Sequence, residues 1–308
     1  MLKPRALEPG SRLAIVAPAS PFAREEFDRG VAEVRQLGFV PVYDDSVFAR
    51  ERAYLAGSAE TRAQAIRAAW RDPSITGVMA VRGGYGSAQV LPLLDREEMR
   101  RTPKPFIGYS DVTSVLTFLT TGCGMVAFHG PMLDGRLARG VEGYDRDSFV
   151  RALCRREPVG ELTAPGVEVL RPGEATGPLL GGTMTQLVAS LGTPFAFAPP
   201  AGHVLFLEDH LERPYRLDRM VTQLQQAGVL ARASAIVVGE LPRCDEPNGQ
   251  VTARGVIADL FKDFPGPVLY GFPSGHTTGP LMTIPLGVQC RVVAHEHPRL
   301  VIEEAAVE

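Results

Sequence analysis

The feature that most constrains this chain is a hand-over that recurs along it. A short apolar run meets a turn rich in Gly, Pro or Ser, and a stretch with helical spacing follows. Arg12–Pro18 (RLAIVAP) reads as a buried strand stopped by Pro18-Ala19-Ser20-Pro21. Glu25–Leu37 carries Phe27, Val31, Val34 and Leu37 at helical spacing, with Gly38 as its stop. Phe39–Tyr43 is the next strand, and Ser58 caps a helix that runs through Trp70. Gly77–Val81 is a strand that opens into Arg82-Gly83-Gly84-Tyr85-Gly86-Ser87 and a short helix. Pro105–Tyr109 is a strand and Asp111–Leu119 a helix. Such alternation predicts a mostly parallel sheet covered on both faces.

At 308 residues the chain has room for about two domains of ~150 residues each. Residues 157–178 hold four prolines and four glycines with no helical period, so we read a linker at 156–178 with at most one short strand. It separates an N-terminal domain, 1–155, from a C-terminal domain, 179–308. In the latter, 182–191, 214–227 and 252–261 read as helices, 203–207 and 235–238 as strands, and 281–303 as further strands. That makes it mixed α/β and β-rich toward its end.

Composition removes several classes. The 32 Lys and Arg are balanced by 35 Asp and Glu for a net charge of −3, and the cations are interleaved with acids, which argues against nucleic acid as a partner. No run approaches the ~20 apolar residues of a membrane span. Lys3 and Arg5 are not followed by an apolar run, so a secretory signal is not expected and a cytoplasmic location is. Cys123, Cys154, Cys244 and Cys290 form no CxxC pair and fit reduced thiols better than a zinc site or a disulfide framework.

Four segments carry candidate chemistry. In Phe106-Ile107-Gly108-Tyr109-Ser110-Asp111-Val112 a serine stands where a strand hands over to a helix. That is the position of an exposed nucleophile, or of a simple N-cap supplied by Ser110 or Asp111. The glycine run Arg82–Gly86 has amides suited to a phosphate or an oxyanion, or is only a tight turn; it lacks GxGxxG and a Walker lysine. Leu205–Glu212 ends an apolar strand in Glu208 and Asp209. Gly271–Pro280 places His276 in a loop of Gly, Pro, Ser and Thr, with His129 as its rival among the histidines. Ser110, Glu208 and His276 thus give a nucleophile, an orienting acid and a base in chain order, each at the end of an element.

With these segments in hand the chain resembles the LD-carboxypeptidase (muramoyltetrapeptide carboxypeptidase) family of serine peptidases. The resemblance spans VAPAS (16–20), VRGGYGS (81–87), IGYSD (107–111), FHGPM (128–132), GGTMTQL (181–187), LFLED with PYRLDRM (205–220) and GHTTGPLMTIPLG (275–287). It implies a flavodoxin-like N-terminal domain and a smaller C-terminal domain with a β-barrel-like core. It also implies a Ser110–Glu208–His276 triad, an oxyanion hole from the amides of Gly84 and Asp111, no metal or cofactor, and a homodimer. The substrate it implies is a small cytoplasmic murein tetrapeptide, cleaved before its terminal D-alanine in cell-wall recycling; the free carboxylate of such a substrate calls for an Arg fork, for which Arg82 beside the glycine run is the candidate, with Gly83 and Tyr85 as its neighbours in substrate binding. A sister group, the microcin C immunity-like hydrolases of peptidyl-nucleotides, shares the motifs. Thr183 and Leu281 stand where the family more often has Asn. A non-catalytic protein that binds peptide or sugar in an inter-domain cleft is the competing class.

Overall fold

The computed structural model describes residues 1–308. Strands β1 (Arg12–Val16), β2 (Val40–Val42), β3 (Gly77–Ala80), β4 (Phe106–Gly108) and β5 (Ala127–His129) come from the first half of the chain. They are followed by β6 (Gly160–Leu162), β7 (Glu168–Arg171), β8 (Gly173–Thr183), β9 (His203–Glu208), β10 (Ala233–Gly239), β11 (Val268–Phe272), β12 (Ile284–Leu286), β13 (Gln289–Ala294) and β14 (Arg299–Ile302). The first sheet has the order β2-β1-β3-β4-β5, all parallel, as a flavodoxin-like fold requires. β12 returns from the far end of the chain to pair antiparallel with β5, Ile284 opposite His129. The second sheet has the order β6-β14-β13-β8-β9-β10-β11-β7, with β8, β9, β10 and β11 parallel to their neighbours in that run.

Helices α1 (Arg24–Gln36), α2 (Ala59–Arg71), α3 (Arg96–Arg101), α4 (Thr113–Thr117) and α5 (Arg146–Cys154) belong to the first half, and α6 (Met184–Ser190), α7 (Pro214–Gln226) and α8 (Ala253–Leu260) to the second. α1 buries the expected stripe of Phe27, Val31 and Val34. The Ser58 hydroxyl accepts from Thr61 N at 3.1 Å, so the predicted cap is made. α7 starts with Pro214, where the missing N–H costs nothing.

Two features differ from expectation. Residues 156–178 hold β6, β7 and the start of β8, rather than a linker with one short strand. Pro and Gly punctuate these strands without dissolving them, because β6 and β7 lie at the ends of the sheet, where few ladder bonds are needed. The helix expected over 111–119 is broken into a 3-10 turn at Ser110–Val112, α4, and a π turn at Phe118–Gly122. There the Thr120 and Thr121 hydroxyls donate back to the Leu116 and Thr117 carbonyls, loosening the regular ladder.

The core shows what positions the site. Along β9, Val204 and Phe206 face the core shared with the first sheet, whereas Leu205 and Leu207 face the core under α6, α7 and α8. Side chains alternate across a strand. Glu208 therefore continues the Val204–Phe206 face, toward β5 and His129. Asp209, the next residue, turns toward the start of α6 and bonds Thr185.

Candidate active site

Ser110 sits directly after β4 with φ +63, in the left-handed region that only glycine adopts freely. Strain of this kind, roughly 1–3 kcal/mol, collects at functional positions. The neighbouring turn is built to meet it. A Cβ on Gly83 would lie 2.8 Å from Ser110 Cβ, 2.9 Å from its Oγ and 3.3 Å from the Asp111 amide nitrogen. Only glycine fits there. Gly84 has φ +97, and a Cβ on it would lie 2.4 Å from Ser20 Oγ. Ser20 Oγ accepts from Tyr85 N at 3.0 Å and donates to Tyr54 O at 2.8 Å.

The turn is clamped from beneath. The Asp111 carboxylate is buried and accepts from Ser87 N at 2.7 Å, while the Ser87 hydroxyl donates to Asp111 O. Burial raises the Asp111 pKa, and the Ser87 donors and the Arg62 charge oppose that rise. The Arg62 guanidinium, buried as well, donates to Gly86 O at 2.6 Å and Pro18 O at 2.8 Å. The loops after β1 and β3, at the switch point of the first sheet, are thus tied to each other and to the serine turn.

Glu208 and His276 meet in the second half of the site. His276 Nδ1 donates to Glu208 Oε2 at 2.7 Å, and the His276 main-chain N–H donates to the same oxygen at 2.9 Å. Thr183 at the end of β8 donates its hydroxyl to Oε1. Gly275 has φ +86, and a Cβ there would lie 2.5 Å from the Glu208 carboxyl, so this close approach also needs glycine. Glu208 is fully buried; burial would raise its pKa, but His276, His129 and Thr183 outweigh that and hold it down at about 2. Burial would lower the His276 pKa, but the Glu208 charge and hydrogen bond outweigh that and raise it.

The first sheet reaches this pair on both sides of Ser110 in the chain. The Tyr109 ring lies edge-on to His276 with centroids 5.1 Å apart. Thr113 Oγ1 accepts from Thr183 N at 3.2 Å, and Ser114 donates to Gln186 at 3.1 Å. No hydrogen bond joins Ser110 Oγ to His276. The carboxylate–imidazole pair is assembled, and residues on either side of Ser110 in the chain, Tyr109 and Thr113, reach its surroundings.

His129, the rival base, lies behind the acid. The Ser274 hydroxyl donates to Met282 O at 2.8 Å, so it accepts from His129 Nδ1 at 3.2 Å. That tautomer leaves Nε2 without a hydrogen-bond partner, 3.9 Å from Glu208 Oε1. Burial pushes the His129 pKa down to about 4, against the pull of Glu208, and keeps the ring neutral. Arg82 is half-exposed and paired with Asp134 at 3.1 Å. Tyr85 is exposed, its ring 6.0 Å from that of Tyr54. Nowhere do three or more His, Cys, Asp or Glu side chains meet as metal ligands.

Three further residues surround the pair. Asp209 is buried beside Glu208 and accepts from Thr185 N and Oγ1 at 2.9 and 2.8 Å; burial and the Glu208 charge push its pKa up to about 7. Arg136 donates to the carbonyls of Gly143, Gly275, Thr277 and Gly279 and to Tyr109 Oη, so it sets the backbone of the His276 loop. The His210 ring stacks on that of His276. Only Asp209, as the second of two acids closing a strand, stood out by position.

Comparison with known proteins agrees with the motifs. Residues 13–130 match the LD-carboxypeptidase N-terminal domain and residues 176–292 the LD-carboxypeptidase C-terminal domain. A protein of Streptomyces coelicolor named as a carboxypeptidase is 37% identical over 298 residues, 96% of this chain and 94% of that one. The murein tetrapeptide carboxypeptidase of Pseudomonas aeruginosa is 32% identical, covering 86% of this chain and 88% of that one. The microcin C7 self-immunity protein MccF of Escherichia coli is 28% identical, covering 90% and 88%. The crystal structure of a muramoyltetrapeptide carboxypeptidase from Oxalobacter formigenes superposes with a TM-score of 0.83 at 27% identity, covering 96% of this chain and 99% of that one. With both of its halves matched in order, the chain belongs to the LD-carboxypeptidase family.

Proposed function

We propose that this protein is a serine carboxypeptidase that removes the terminal D-alanine of murein tetrapeptides, in the cytoplasm and as part of cell-wall recycling. One observation carries the reading. A buried carboxylate holds a loop histidine by its Nδ1 at 2.7 Å, and that histidine's ring lies against Tyr109, the residue before a left-handed serine. That combination suits nucleophilic acyl transfer.

In the mechanism, His276 Nε2 takes the Ser110 proton and Oγ attacks the carbonyl before D-alanine. The amides of Gly84 and Asp111 hold the oxyanion, each donor contributing about 2.7–4 kcal/mol. His276 then protonates the leaving amine, and water attacks the acyl-enzyme with His276 again as base. Glu208 holds the required tautomer and stabilises the imidazolium. Arg82, with guanidinium N–H groups left over from its Asp134 contact, takes the substrate's terminal carboxylate beside Gly83 and Tyr85. We assign the assembly as a homodimer.

The second reading, a hydrolase of peptidyl-nucleotides, is favoured by the similarity to the MccF immunity protein. Mass spectrometry separates the two. The purified protein is incubated with a murein tetrapeptide, with the same peptide ending in L-alanine, and with a peptidyl-adenylate analogue. Loss of one alanine from the D-form alone supports the carboxypeptidase reading. Cleavage of the nucleotide conjugate alone moves the assignment to the second. If a serine-directed probe fails to label Ser110, a binding protein is left.

A further inference from the structure

The His276 ring has more support than a triad demands. Besides Glu208 at Nδ1 and the edge of Tyr109, one face is covered by the ring of His210, with centroids 3.7 Å apart and planes 14° from parallel. His210 is held there by an unusual backbone. Its N–H donates to Asp209 Oδ1 at 2.9 Å. Leu211, the next residue, is left-handed at φ +61 and donates its N–H to Pro242 O at 3.2 Å. On the facing loop Leu241 and Arg243 are left-handed too, at φ +51 and +61. Half of the non-glycine residues with positive φ therefore lie in the two loops that carry and back this ring.

Charge makes the stack directional. The groups that act on the two rings are Glu208 at the end of β9 and Asp209 after it, His129 at the end of β5, Arg136 behind the His276 loop, Arg243 after β10 and the phenol of Tyr109. Burial, and then the His276 charge, pushes the His210 pKa down to about 4, whereas that of His276 is raised. His210 therefore stays neutral near pH 7, and of the two rings it is His276 that takes up an added proton. A neutral ring over an imidazolium attracts it, and two imidazoliums at this distance repel.

We infer that His210 is a positioning residue for the base: its ring fixes the plane of His276 between Glu208 and Ser110 and covers the imidazolium face while His276 carries the serine proton. The inference rests on the triad reading. The proton passes from Ser110 Oγ to His276 Nε2 and on to the leaving amine, and none reaches His210.

The test compares His210→Ala, His210→Gln and His210→Phe in the full chain. Two readouts are used: the rate at which a fluorophosphonate probe labels Ser110, and the NMR shift of the His276 Cε1 proton. Thermal melts establish that each variant is folded. Removing the ring in the Ala and Gln variants slows labelling about tenfold at pH 7.5, as small misplacements of a catalytic group do. It also moves the His276 resonance downfield as the ring current is lost. The Phe variant keeps the native shift and labels within about threefold of native. Native-rate labelling by folded Ala and Gln variants overturns the inference, and so does a Phe variant no faster than Ala. A native chain that takes no label overturns the triad reading itself, and the inference falls with it even if the NMR shift reports the stack.

Discussion

Glu208 Oε2 accepts two hydrogen bonds from one residue, from the ring Nδ1 of His276 at 2.7 Å and from its main-chain N–H at 2.9 Å. The carboxylate thus fixes the histidine's ring and its backbone at once, and it does so in a fully buried place where neither bond competes with water.

Glu208→Gln keeps the shape and removes the charge. Release of D-alanine falls about 10⁴-fold, the size seen when a triad acid is neutralised. Stability is affected as well. Because the folded pKa of Glu208 is depressed to about 2 from an ordinary 4.5, its ionised form stabilises the fold above pH 4.5, and this contribution disappears as pH falls from 4.5 toward 2. Denaturant titrations should show the variant about 3 kcal/mol less stable at pH 6 and the gap closing by pH 2.

Ser110→Ala abolishes turnover and leaves the fold. Ser110→Gly abolishes it too, but relieves the left-handed backbone at φ +63. Differential scanning calorimetry should place the Gly variant about 1 kcal/mol above the Ala variant. Equal stability of the two would mean that Ser110 is not strained.

Gly83→Ala inserts a methyl group 2.8 Å from Ser110 Cβ. The main chain at 83 has no positive φ, so the cost is one of space alone: about 1–3 kcal/mol of stability. The serine turn is displaced, and activity drops about 10²-fold. Melting and D-alanine release, measured on the same sample, check both halves.

His129 is neutral in the fold and takes up a proton only on unfolding. Its folded pKa of about 4 lies below the ordinary 6.5, so between these values the unfolded chain binds more protons and stability rises with pH. One such proton is worth about 1.4 kcal/mol per pH unit. His129→Gln should flatten the stability–pH curve between pH 4 and 6.5 by one proton relative to native, while the slope from His210, which has the same sign, persists.

Much of this was legible from residue order. β3 and β9 are buried along their whole length, and such parallel strands appear as unbroken apolar runs. α1, α2 and α7 announce themselves by stripe, cap and N-terminal proline. Ser110 stood out because a serine where a strand hands over to a helix can be an exposed nucleophile as well as a cap, His276 because a loop histidine is not core filling, and Glu208 because a carboxylate closes an otherwise apolar strand. What stayed hidden depends on long-range contact. β6 and β7 are three and four residues long and take their identity from β14 and β11, over a hundred and nearly a hundred residues away. Gly182, read as the start of a helix, has φ +144 and lies in β8 instead, as does Gly181 at φ +138, because Thr113 and Phe206 pack against them. Arg136 and His210 act through loop carbonyls and a ring face, and no spacing rule in one chain encodes either.

The His276 loop has one end in each sheet: β11, before it, pairs with β10, and β12, after it, pairs with β5. His276 is therefore suspended between the two halves of the molecule like a cable between two towers. A gene fragment ending near residue 155 would leave β5 as a bare edge, and the complementary fragment would carry a histidine loop with one end untethered. An exchange of one half for a distant relative's would have to preserve the span as well as the residues hung on it.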